Sequence, residues 1–99
     1  MITESYLDDM RDALHRTSKD FDGEIKDLIE SARQELILSG VLPEKANDES
    51  DPLIKRAVTL YLKADFGLEP EYSDRYRSAF ESLKISLVLS KDYTEENCV

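Results

Sequence analysis

Ninety-nine residues, 40% hydrophobic and 35% charged, suffice for one modest core without disulfides or metal and are too few for two. Thirteen basic against twenty-two acidic side chains leave a net charge of −9, which argues against a grip on the nucleic-acid backbone, a function that concentrates Lys and Arg on one face. The sole cysteine, Cys98, excludes an internal disulfide, and no apolar stretch approaches the ~20 residues needed to span a bilayer.

A first helix is predicted over residues 3–16, capped by Thr3 or Ser5. Tyr6, Leu7, Met10, Ala13 and Leu14 form one apolar stripe, with Asp8, Asp9, Arg11 and Asp12 on the wet side. Thr17 to Asp20 break the pattern, and a second helix starts near Asp22, with Phe21 placed as a hydrophobic staple. Its core positions are Ile25, Leu28, Ile29, Ala32 and Leu36, and it ends before Gly40. From Ser39 to Ser50 the residues signal loop, with Val41 and Leu42 able to pin its first part to the body. This connection exceeds what two adjacent helices need, so it reads either as a tolerated surface loop or as an arm that meets a partner.

The third helix has the clearest boundaries. Asp51 is a good N-cap, Pro52 suits the first helical position, and Gly67 is a natural stop. Leu53, Ala57, Leu60, Tyr61 and Ala64 form one face, Ile54 and Val58 widen it, and Leu62 and Phe66 lie on the other side. A helix apolar around most of its circumference is normally buried all round. Residues 68–72 form a turn, and Ser73 is expected to cap a fourth helix over 74–89, with Tyr76, Phe80, Leu83 and Leu87 on its core face. Ile85, Val88 and Leu89 lie toward its opposite side, and the segment from Lys91 to Val99 has no periodicity. The expected fold is all-α: a small bundle of four to five helices with a long loop between the second and third. Residues 1–90 form one domain in this reading, and 91–99 a flexible C-terminal tail.

Reactive groups do not converge. His15 faces neither core nor an evident partner, and Cys98 sits among acidic neighbours that disfavour its thiolate. The carboxylate runs Asp8-Asp9-Asp12 and Glu44 to Asp51 lack the glycine and alternating ligands of a calcium loop. The three glycines are separated, so no phosphate loop is present. No catalytic, cofactor-binding or metal residue is assigned, and the expectation is a protein that is not an enzyme and needs no cofactor. With no basic region followed by an apolar run at the N-terminus, synthesis in the cytosol is expected.

The opening Asp51-Pro52-Leu53-Ile54-Lys55-Arg56-Ala57-Val58 resembles the head–tail connector proteins of tailed bacteriophages, as does the ending Tyr61-Leu62-Lys63-Ala64-Asp65-Phe66-Gly67. The following helix, with Tyr76, Phe80, Glu81, Ser82, Leu83 and Lys84, shares the likeness, which is sharpest over residues 51–90. Those proteins are small all-helical adaptor subunits, often encoded in prophages. The resemblance implies a dodecamer-like ring of identical subunits that docks on the portal, prolongs the DNA channel and offers a platform to the next neck or tail protein. It implies a place in the virion neck, reached by assembly in the host cytoplasm, with DNA passing through unbound. The acidity then reads either as plain solubility or as a wall to which passing DNA does not stick. Leu62, Phe66, Ile85 and Leu89, off the main core faces, are the candidate subunit contacts, unless the long loop or the tail covers them. Tyr93 and Val99 are the candidate portal anchors. The alternative function is a small acidic helical module that binds or regulates one partner protein.

Overall fold

The computed structural model describes residues 2–15, 18–66 and 70–95. Among these, helices α1 (Glu4–Ala13), α2 (Asp22–Ser39), α4 (Pro52–Phe66) and α5 (Ser73–Leu89) build the body, with single turns α3 (Pro43–Ala46) and α6 (Lys91–Thr94) beside them. No strand occurs among the described residues. The all-helical expectation therefore holds, and each cap explains one boundary. Thr3 Oγ1 accepts from the Tyr6 amide at 3.2 Å and starts α1. Gly40, at φ 124°, ends α2, and the Gly40 and Val41 amides turn back to the carbonyls of Ile37 and Leu36. Asp51 Oδ1 accepts from the amides of Leu53 at 2.9 Å and Ile54 at 3.2 Å, the cap expected for α4. The proposed stop at Gly67 lies outside the described residues.

The start of α5 differs from the expectation. Ser73 is the first helical residue and not its cap, because a 3-10 turn over Pro70–Tyr72 already winds the chain and runs straight into the helix. The 3-10 turn Lys19–Phe21 leads into α2 in the same way, and Phe21 meets Phe66 edge to face, with ring centroids 5.7 Å apart.

Helices α2, α4 and α5 pack on one another, and α1 lies across α2 and α4. Leu7, Met10 and Leu14 of the α1 segment meet Ile25, Ile29, Ala32 and Leu36 of α2, Ile54, Ala57, Val58 and Leu62 of α4, and Phe80 and Leu87 of α5 in one core. The register of α4 corrects the expected face. Leu53 is exposed, whereas Ile54, Val58 and Leu62, one helical turn apart, are buried. Three helices cover α4, so its buried arc is wide and centred on the Ile54 side. Tyr61 is half-buried against it and stacks edge to face on Phe80 at 5.2 Å.

Two arginines are buried against the polarity pattern. Arg11, expected on the wet side of α1, is covered because the start of α2 brings Asp22 to its Nε at 2.7 Å; Asp8 and Glu4 complete its ion pairs. Arg33 is 1% exposed. Its guanidinium lies 5.4 Å from the Tyr6 ring centroid and pairs with Glu49 at 3.2 Å and Glu30 at 3.5 Å. Glu49 also accepts from the Thr3 amide and hydroxyl, at 3.2 and 2.6 Å. One carboxylate thus ties the loop to both α1 and α2. Burial acts to raise the Glu49 carboxyl, but hydrogen bonds from Thr3 and Arg33 outweigh it and hold it below its ordinary value.

The loop between α2 and α4 is not a plain surface connection. Val41 and Ala46 are buried in the core, and the Leu42 amide donates to the Tyr93 carbonyl at 2.8 Å. The tail is correspondingly folded at its start: α6 forms, and Tyr93 is half-buried with its hydroxyl donating to Asp51 Oδ1 at 3.1 Å. A pattern too short for periodicity conceals such a turn, since its order comes from tertiary hydrogen bonds. Residues 96–99 lie outside the described part.

Candidate interaction surfaces

Phe80 and Leu87 turn one side of α5 into the core, which leaves the opposite side outward. Ile85 and Leu89, at i and i+4, stand on that outer side, 57% and 80% exposed. Leu38, near the end of α2, is 85% exposed. The ends of α2 and α5 run side by side: Lys84 Nζ lies 3.5 Å from Glu35 Oε1, and a Cβ on Gly40 would stand 3.7 Å from Val88. One end of the body therefore carries three uncovered aliphatic side chains. Large apolar groups left in water at one place mark a surface for another molecule more readily than single ones do.

Of the four candidate subunit contacts, the structure keeps Ile85 and Leu89 outward and removes Leu62. Leu62 is 1% exposed inside its own core, because the buried arc of α4 reaches round to it. Phe66 is half-buried and engaged with Phe21. Neither candidate portal anchor is a bare surface group in the described part. Tyr93 is tied to Asp51 and Leu42, and Val99 is outside the described residues. Burial and the neighbouring Asp51 carboxylate push the Tyr93 hydroxyl up to about 12.

A second surface escapes a reading along the chain. An open groove of about 480 Å³ is lined by Pro52, Lys55, Arg56, Thr59, Leu60 and Lys63 of α4, with Tyr76 of α5 forming its far wall. The α4 residues recur at three- and four-residue intervals, so a single face of one helix gathers three cations. In sequence these cations look scattered. Placed on a helical projection they form a stripe, and that projection is the signal that could have found them. Lys55 is held by Asp9 at 2.5 Å, Lys63 Nζ lies 5.5 Å from the Tyr76 ring centroid, and Arg56 is exposed.

His15 is exposed just beyond α1, in the left-handed region at φ 57°. Cys98 lies outside the described residues. Among the described residues there is no cluster of three or more His, Cys, Asp or Glu that could hold a metal ion, and no helix long and apolar enough to cross a membrane.

Fold and surfaces together define a small helical protein whose chemistry lies in the faces it turns outward. The model of the phage connector protein family matches residues 6–94, and the chain belongs to that family. No curated protein and no solved structure matches it. The family assignment gives the chain a connector-type structural role in the virion neck, in the company of portal or neck proteins.

Proposed function

We propose that the protein is one subunit of a head–tail connector ring that docks on the portal, prolongs the DNA channel and carries the next neck or tail protein. The observation that supports this reading is the pair Ile85 and Leu89, exposed one turn apart on α5 in a member of the connector family. Burying two such side chains against a neighbour contributes about 1.5–3 kcal/mol each relative to exposure. Identical subunits related by a rotation that closes on itself form a ring without cofactor or catalysis. DNA passes through that ring without being gripped, consistent with the net charge of −9. The C-terminal segment carrying Tyr93 and Val99 is the proposed portal anchor, with Tyr93 leaving Asp51 when it engages.

Electron microscopy of the protein mixed with purified portal tests the reading. Ring-shaped density of connector subunits on the portal is the expected result. A portal that stays bare at saturating protein overturns it.

A further inference from the structure

We propose that the α4 groove of one copy receives the outer face of α5 of the next copy. This rests on the ring reading and assigns the two halves of its repeating contact. A head-to-tail interface needs two different surfaces on each subunit that do not overlap. The groove and the α5 face satisfy this. Tyr76, which walls the groove, and Ile85 are nine residues apart on one helix, about two and a half turns, and so point to opposite sides of α5.

The chemistry of the two surfaces is complementary. The groove has apolar walls in Leu60, Tyr76 and Pro52 and cations in Lys55, Arg56 and Lys63. The α5 face carries Asp74, Glu81, Ile85 and Leu89 at spacings of seven, four and four residues, a single helical stripe. Asp74 is exposed, and Glu81, already beside Lys84 at 2.9 Å, remains half-exposed. Pro52 to Lys63 extends roughly 16 Å at the helical rise, room for the roughly 12 Å from Glu81 to Leu89, with Asp74 lying about 10 Å further along α5. Two α5 faces meeting in parallel would set Asp74 and Glu81 against carboxylates of their own kind, and meeting antiparallel they would set Asp74 against the aliphatic end of the stripe. Placed in the groove, Glu81 meets cations, and Ile85 and Leu89 meet the apolar walls Leu60 and Tyr76. In a protein of net charge −9, a groove that gathers three cations is a surface on which an acidic face of a second copy gains by charge.

Two double variants and their mixture test the assignment by sedimentation velocity, with helical circular dichroism checking that each is folded. Arg56→Glu with Lys63→Glu reverses the groove, and Ile85→Asp with Leu89→Asp spoils the face. All four positions are at least partly exposed. Wild-type protein is expected to assemble with rising concentration and to dissociate at molar salt. Each variant alone should sediment as a monomer. Their equimolar mixture should stop at a dimer, because one intact groove then meets one intact face and nothing propagates. A groove variant that assembles like wild type overturns the assignment and leaves ring formation standing. Should wild type stay monomeric by itself, the same variants are compared on purified portal, where wild type is expected to ring the portal and neither double variant to do so; a portal left bare by wild type overturns both readings. A labelled DNA duplex that binds wild type and is released by the groove reversal, with assembly unaffected, would assign the groove to phosphate instead.

Discussion

The two ends of this chain use charge in opposite ways. In the α1–α2 region, Arg11 and Arg33 are buried and paired with carboxylates from other segments, so charge holds the chain to itself. On α4, Lys55, Arg56 and Lys63 line an open groove, and on α5 aliphatic side chains stand in water. Buried pairs raise the cost of changing a region's shape, since separating either partner strands a charge. Outward cations add less: Lys55 reaches Asp9 and Lys63 lies over Tyr76, but such exposed contacts contribute roughly 0–1 kcal/mol each. One region thus commits its charges to its own shape, while the other turns charge and apolar surface toward solvent.

Substitutions can break that contrast, beginning with the core both regions share. Phe80→Ala should cost about 3–5 kcal/mol in urea unfolding, the largest single effect, because Phe80 fills the space beneath Tyr61. Arg33→Met should cost about 2 kcal/mol by leaving the half-buried Glu49 with Thr3 alone. Joining it to Glu49→Leu should recover part of that loss in a double-mutant cycle. A cycle without coupling would mean that the pair does not hold the loop.

Titration separates the same region by pH. Asp22, Asp48 and Glu49 have lowered carboxyl values, chiefly through hydrogen bonds from Arg11 to Asp22 and from Ser50 to Asp48, and for Glu49 through Thr3 and Arg33 against its burial. The unfolded chain therefore takes up protons first as pH falls below about 4.5. Their stabilisation is present above that value and disappears as pH drops through the folded values. At the alkaline end the sense reverses. Burial pushes the Tyr6 hydroxyl from 10.0 up to about 12, and Tyr93 is raised likewise. Between these values the unfolded chain loses its protons first, so stability falls, by about 2–3 kcal/mol for Tyr6. Melting temperature against pH should show both flanks, and Tyr6→Phe should shrink the alkaline one to the part that Tyr93 contributes.

Smaller effects belong to the outward region. Tyr93→Phe removes one hydrogen bond to Asp51 and should cost about 1 kcal/mol. Ile85→Ser with Leu89→Ser should change monomer stability by no more than about 0.5 kcal/mol, since neither is buried by its own chain. A loss of several kcal/mol there would erase the distinction between the two regions.

The helix limits were legible in the sequence because they rest on local chemistry: Thr3 and Asp51 as caps, and Gly40 at its positive φ. The buried arc of α4 was less so. Leu53 and Leu62 are both leucines on an apolar helix, and only the placement of three neighbouring helices decides that one is exposed and the other enclosed. Arg11 and Arg33 look like surface residues because their carboxylate partners are distant in sequence, eleven and sixteen residues away. Of the candidate contacts, Ile85 and Leu89 could be read from periodicity on α5. The cation stripe of the groove is visible on a helical projection of α4, but its far wall, Tyr76, is not, because it comes from another helix.

Asp51 Oδ1 receives three donors at once, the amides of Leu53 and Ile54 and the Tyr93 hydroxyl. A carboxylate oxygen offers about two good lone-pair directions, so the three compete. Without the tyrosine hydroxyl each amide would have a direction of its own, and the first turn of α4 is expected to hold. The latch and the helix start thus work against each other at a single atom. Removing the tyrosine hydroxyl is therefore expected to cost the fold less than the loss of an uncontested hydrogen bond would, and to leave the start of α4 in place.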